Sequence, residues 1–202
     1  MAKLKAPLLS FGASGAIAKA VVYFPWKGLN VAREYVIPAN PKTTLQKKQR
    51  GHLTFAVTAI HAVQALATNP LDQADTMAYA LWGSTYPTPR TWFNQLVKNI
   101  IDVRVDLLSG QIYRAGTTTP GTEKLDVSLC YSHGPDPTGG TFFYGTSKTA
   151  LIHTEDADID GGEIKTTLSP LTKGVKYYWQ FRPTAPEGLI GNRSGIYYGV
   201  SN

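Results

Sequence analysis

The sequence predicts an α+β chain in three parts: an extended arm over residues 1–42, a small helical bundle over 43–110, and an antiparallel β-sandwich over 111–202. Three observations predict it. Glycines and prolines break the first 42 residues into short apolar pieces, apolar residues recur at helical spacing from about Thr43, and a period of two with turn residues takes over after Gln111. The length of 202 residues accommodates one large domain or two small ones, at about 100 residues per domain. With 43% hydrophobic and 17% charged residues the chain has the composition of a folded protein.

Within the arm, "AVVYFPW" (20–26) and "REYVI" (33–37) read as strands, interrupted by Pro7, Pro25, Pro38 and Pro41 and by Gly12, Gly15 and Gly28. Such pieces have little core of their own and must pair with something, either this chain or a neighbour. The first twenty residues have the charge-then-apolar layout of a secretory leader, but Gly12, Ser14 and Gly15 dilute the apolar run, so a structural segment is expected. No run of about 18 apolar residues occurs, and no membrane span is expected.

Thr43 and Gln46 form a capping-box pattern, and Leu53, Ala56, Val57, Ile60, Val63 and Ala67 follow on one helical face. Lys47, Lys48 and Arg50 crowd the first turns, the unfavourable end for cations in the helix dipole, which suggests a partner. A second short helix is expected in "NPLDQADTMAYALWGS" (69–84). A third begins near Thr88-Pro89, with Trp92, Leu96, Ile100, Val103 and Leu107 on its apolar face. Short links let three such helices close as a bundle.

The strands expected beyond Gln111 are "KLDVSLCYSHG", "GTFFYGT", "KTALIHT", "GEIKTTL", "VKYYWQFRPT" and "SGIYYGV". Val127, Leu129, Tyr131, Leu168, Tyr177, Trp179 and Phe181 are the inward candidates, and the residues 112–202 are expected to fold alone. Cys130, the one cysteine, excludes an intrachain disulfide and reads as a core residue. The stretch "LSPLTKGVKYYWQFRPTAPEGLIGNRSG" resembles the later strands of fibronectin type III and related immunoglobulin-like domains, through Leu171 and Gly174 before Tyr177 and the alternation through Trp179 and Phe181. The resemblance implies an immunoglobulin-like sandwich in which Tyr177 is a tyrosine-corner residue.

Charge is unevenly placed. Residues 1–60 carry nine Lys/Arg against the single Glu34, a net +8, whereas residues 111–202 carry eight basic and nine acidic residues. That asymmetry points to an anionic partner or an acidic protein surface. Nucleic acid is the less favoured partner: Tyr23, Trp26 and Tyr35 interleave with Lys27 and Arg33, but aromatics at strand spacing are more often packing residues.

Enzyme chemistry is hard to assemble. His52, His61, His133 and His153 lack metal-ligand spacing, no G-x-S-x-G occurs, and "GASG" (12–15) lacks the ending of a phosphate loop. Asp156, Asp158 and Asp160 before Gly161 imitate the first half of a calcium loop, yet the twelfth position is Thr167 rather than glutamate. They are weak calcium candidates, and no catalytic residue, cofactor or metal is expected.

The segment "GASGAIAKAVVYFPWKGLNVAREYVIPANPKTTLQKKQR" is similar to an N-terminal pattern of bacteriophage and prophage structural proteins. The shared elements are small residues near Gly12 and Gly15, an aromatic strand ending in Trp26-Lys27-Gly28, Arg33, and Asn40-Pro41-Lys42-Thr43 with Gln46, Gln49 and Arg50; arginine is usual where Lys42 stands. The similarity implies a non-enzymatic virion protein of the capsid surface, neck or tail, made in the host cytoplasm. It implies assembly with copies of itself and other virion proteins through Phe24, Trp26, Lys27, Arg33, Asn40, Pro41, Thr43, Gln46, Gln49 and Arg50. The alternative is a cell-surface or glycan-binding module built on the sandwich.

Overall fold

The computed structural model describes residues 3–4, 13–27, 29–37, 39–40 and 42–202. The chain divides into two compact units, residues 1–43 and Thr44–Asn202. Pro7, Gly12, Gly28, Pro38 and Pro41, singled out in the sequence, lie outside the described residues.

The first unit is a four-stranded antiparallel sheet of β1 (Lys3–Leu4), β2 (Ala13–Ile17), β3 (Val21–Trp26) and β4 (Leu29–Glu34), in that order. The arm strands therefore pair with one another. Tight turns make this possible: Ala18 (φ 47°) and Lys19 (φ 56°) carry β2 into β3, and Lys27 (φ 50°) leads the turn into β4. The second strand expected at 33–37 lies earlier, at Leu29–Glu34, because Trp26 pairs with Leu29 across that turn.

The second unit holds the helices α1 (Thr44–Gln64), α2 (Gln73–Gly83) and α3 (Trp92–Val105). It also holds β5 (Ile112–Gly121), β6 (Lys124–Ser132), β7 (Gly139–Gly145), β8 (His153–Asp156), β9 (Asp158–Asp160), β10 (Glu163–Leu168), β11 (Lys176–Ala185) and β12 (Tyr197–Val200). The strands form two antiparallel sheets, ordered β5-β6-β10-β9 and β12-β11-β7-β8. The period of two places Leu125, Val127 and Leu129 of β6 and Tyr177, Trp179 and Phe181 of β11 in the layer between the sheets, with Phe142 and Ile164. Tyr131 packs partly buried against that layer. The same alternation turns Cys130 outward, opposite Glu163 and Arg114, where it is half-buried and accepts from Asn69 Nδ2 at 3.4 Å. It is not a core residue.

The helices have their own core of Ala56, Ile60, Val63, Tyr79, Leu96 and Ile100. Asp72 caps α2 with a reciprocal bond to Asp75, and Thr91 caps α3, three residues later than the sequence suggested. Leu107 lies beyond α3 at φ 62° and is 83% exposed, so it does not extend the apolar face.

Helices and sandwich make one compact unit, and the boundary expected at 110/111 runs through shared packing. Asp75 of α2 is the main tie. Strand β5 bulges between Arg114 and Thr117, which turns the amides of Ala115 and Gly116 out of the ladder. The fully buried Asp75 carboxylate receives them: Ala115 N–H donates to Oδ2 at 2.8 Å and Gly116 N–H to Oδ1 at 3.0 Å. The Tyr197 hydroxyl of β12 donates to Oδ1 at 2.7 Å, and the Asp72 N–H to Oδ2 at 3.1 Å. A side chain on Gly116 would meet the Tyr197 ring at 2.2 Å, so glycine is required there. Nearby, Tyr79 Oη donates to the Tyr113 carbonyl at 2.9 Å, and Ile196 N–H donates to the Ala78 carbonyl at 3.0 Å. A second tie joins α3 to the chain before β12, with Asn99 Nδ2 donating to Asn192 Oδ1 at 2.7 Å and Asn192 Nδ2 to the Gln111 carbonyl at 3.0 Å.

Burial pushes the Asp75 carboxyl above the usual carboxylate range, and the hydrogen bonds, led by Gly116, pull part of that shift back. Because its folded pKa lies above the unfolded value of about 4, Asp75's contribution to stability declines as pH rises from there through the folded pKa. Asp75→Ala leaves several buried donors without an acceptor and is expected to cost about 3–5 kcal/mol. Trp179→Ala is expected to cost a similar ~3–5 kcal/mol, since Trp179 is fully buried and its Nε1 donates to Thr118 at 3.0 Å. Tyr177→Phe loses only the bond accepted from Thr172 N–H at 3.1 Å, about 1 kcal/mol. Denaturant unfolding of the three variants checks the ranking, and a fully stable Asp75→Ala protein would remove this tie from the account.

Candidate assembly interface

The arm sheet is a single layer, and no described side chain of residues 1–43 is buried. Register sets its faces. Val22 pairs with Arg33, Phe24 with Val31 and Trp26 with Leu29, so these six share one face, while Val21 and Tyr23 take the other. Phe24 and Trp26 meet edge to face at 6.5 Å between ring centroids, and the Arg33 guanidinium sits 5.2 Å over the Phe24 ring. Trp26 nevertheless remains 59% exposed and Leu29 68%. Burying the exposed Trp26 and Leu29 in an interface would contribute about 1.5–3 kcal/mol each, and the half-buried Phe24 and Val31 less. Val36 and Ile37 are exposed as well.

Of the residues expected at an assembly interface, Phe24, Trp26 and Arg33 are brought together in this face, with Lys27 exposed at its turn. Asn40 and Thr43 are exposed in the connecting segment, and Pro41 lies outside the described residues. Gln46, Gln49 and Arg50 are exposed on the first two turns of α1. The residues 44–51 have no buried member, and Leu45 is 78% exposed. Sequence reasoning missed Leu29 and Leu45. Leu29 follows Gly28 directly and became legible only through the Trp26 pairing, while Leu45 sits one position outside the stripe that starts at Leu53.

The other sequence candidates are dispersed. His61 is exposed and stacks edge-on against Phe93 at 6.3 Å, and His153 lies 5.2 Å from the Tyr144 ring at the sandwich edge. Asp156 ends β8, Asp158 and Asp160 face outward from β9, and Asp158 pairs with Lys165 at 3.7 Å. No three acidic, histidine or cysteine side chains converge on a metal-sized site among the described residues. Asp75 has a perturbed carboxyl, but it is fully buried with its oxygens engaged, which makes it a structural group. Beside α2, Met77, Leu81, Ile196 and Tyr198 line a groove of about 620 Å³. No helix among the described residues is long and apolar enough to cross a membrane.

No family model matches this sequence, and no curated protein matches it either.

In the free chain, Trp26 is expected to dominate quenching by acrylamide, because Trp82 and Trp179 are buried and Trp92 is half-buried against the helical core. Trp26→Phe should remove most of the quenchable emission without shifting the unfolding midpoint. An unchanged quenching profile would place the ring in a covered position.

Proposed function

We propose that the protein is a non-enzymatic structural component of a virion, which assembles through its N-terminal arm and the start of its helical part and displays an immunoglobulin-like sandwich. The observation that carries this reading is the face of Phe24, Trp26, Leu29 and Val31 on a one-layer sheet, where Trp26 and Leu29 are exposed and Phe24 and Val31 half-buried. A single sheet has no second layer against which to bury such a face, and layered packing is what makes a sheet stable. Docking on copies of itself or on other virion proteins supplies that layer. The similarity of residues 10–60 to bacteriophage and prophage arms supports the virion setting.

The strand orders β5-β6-β10-β9 and β12-β11-β7-β8 support the immunoglobulin-like reading, since they follow the ABED and GFC pattern with one strand added beside C. Tyr177 supports it too: its hydroxyl reaches back to the Thr172 amide at the corner before β11. An exposed Trp179 would have favoured the glycan-binding alternative, and that ring is fully buried.

Removing residues 1–38 is expected to leave a folded protein, because both cores lie within Thr44–Asn202, and to abolish the contacts that the arm makes in the assembly. Sedimentation and electron micrographs of the full and shortened chains decide this. Normal assembly of the shortened chain would sink the arm's role. Tight DNA binding that collapses between low and moderate salt would instead make the basic arm a nucleic-acid contact.

A further inference from the structure

The start of α1 presents a second surface of a different kind. Leu45, Lys48, Gln49 and His52 fall at i, i+3, i+4 and i+7, one stripe about 10 Å long. With Gln46 and Val105 of α3 they line a pocket of about 430 Å³. Its floor and rim differ in chemistry: Leu45 and Val105 are apolar and exposed, whereas His52 is only 9% exposed and its buried Nε2 has no hydrogen-bond partner among the described residues. Buried polar atoms are ordinarily paired, so an unpaired one in a pocket wall calls for a group from outside. The surroundings favour an anion, since no Asp or Glu occurs between Glu34 and Asp72 and Lys47, Lys48 and Arg50 occupy these turns.

The same unit carries a matching feature elsewhere. Residues 151–163 contain Glu155, Asp156, Asp158, Asp160 and Glu163 and no Lys or Arg. Ile152, just before the edge strand β8, is 76% exposed, and Asp156, four residues on, is exposed and faces outward opposite Thr141. Four residues of strand span about 13 Å, close to the length of the α1 stripe.

The two features cannot meet within one chain. Leu45 lies beside Val105 at the end of α3, while Lys148, Thr149 and Leu151 line a pocket with Trp82, Thr85 and Tyr86, which precede α3. The intervening helix of 14 residues is about 21 Å long. We propose that the α1 pocket receives the Ile152–Asp156 edge of a second copy, with Ile152 against Leu45 and Val105 and the Asp156 carboxylate among Lys48, Gln49 and His52. The contact joins unlike surfaces, so each copy keeps one of each free, and it propagates as a ring or a filament. It goes beyond the arm contact and holds whether or not the arm cements the assembly.

Full-length Leu45→Asp and Ile152→Asp proteins test it, both positions being exposed enough to leave the fold intact. Each variant alone is expected to lose the salt-sensitive part of the parent's association in sedimentation velocity and to keep only what the arm supplies. Mixed in equal amounts they are expected to regain one such contact for each pair of unlike chains, because Ile152→Asp keeps a sound pocket and Leu45→Asp a sound edge. Association through the arm is the same in each variant and in the mixture, so the two readings fail separately. The proposal is overturned if either variant sediments as the parent does, or if the mixture shows nothing beyond its components. The first result is also what an unrelated acidic partner for the pocket would give.

Discussion

The organisation of residues 44–202 depends on one carboxylate. Asp75 sits at the base of α2 and takes two amides from the bulge of β5, one from its own helix start and a hydroxyl from β12. Strands β5 and β12 are end strands of different sheets, so this single group fixes α2 across one open side of the sandwich. A bulge with two inward amides would be costly without an acceptor, and a buried carboxylate would be costly without donors. Each removes the other's penalty. Neutral tyrosines complete the arrangement: burial, with the nearby Asp75 charge, pushes the Tyr79 and Tyr197 hydroxyls well above their usual range, so both remain donors.

From this tie follows the difference between the two units. Residues 44–202 bury two apolar clusters that share the α2 surface, with Ala78 in the sandwich layer and Tyr79 in the helical one. Helix and strands approach closely enough there that a side chain on Gly195 would meet Ala78 at 2.7 Å. Among its described residues the arm has strand pairing and turns but no second layer of its own. Hydrogen bonds within a sheet satisfy the backbone and leave the side-chain faces to be covered by something else.

The sequence made the regular parts legible. Period-two alternation placed Leu129, Trp179 and Phe181 inside, and helical spacing placed Ala56, Ile60 and Val63. What it concealed were features that depend on two distant segments. Asp75 reads locally as a capping residue, and its bonds to Ala115, Gly116 and Tyr197 lie 40 to 122 residues away. Strand β9 is three residues long and acidic, too short to show a period. For the assembly interface, the aromatic run through Trp26 was visible, but the shared face with Leu29 and Val31 required the register. Leu45 was hidden because its stripe is completed by Val105, sixty positions on, and by a histidine that looks polar in sequence.

The sandwich edge opposite α2 shows how the protein restricts the way it associates. Strands β8 and β9 end their sheets there with backbone available for pairing. Both are short, Glu155 of β8 lies opposite the buried Phe142, and Asp158 and Asp160 line the outer face of β9. Charge at a strand edge, and an acid turned toward the core side, make the addition of a further strand unfavourable. Like edges repel, so two copies cannot join acidic edge to acidic edge. A basic surface escapes that repulsion, and a helix can meet the edge through side chains without extending the ladder. The edge thus excludes open-ended sheet growth while remaining available to the oppositely charged start of α1.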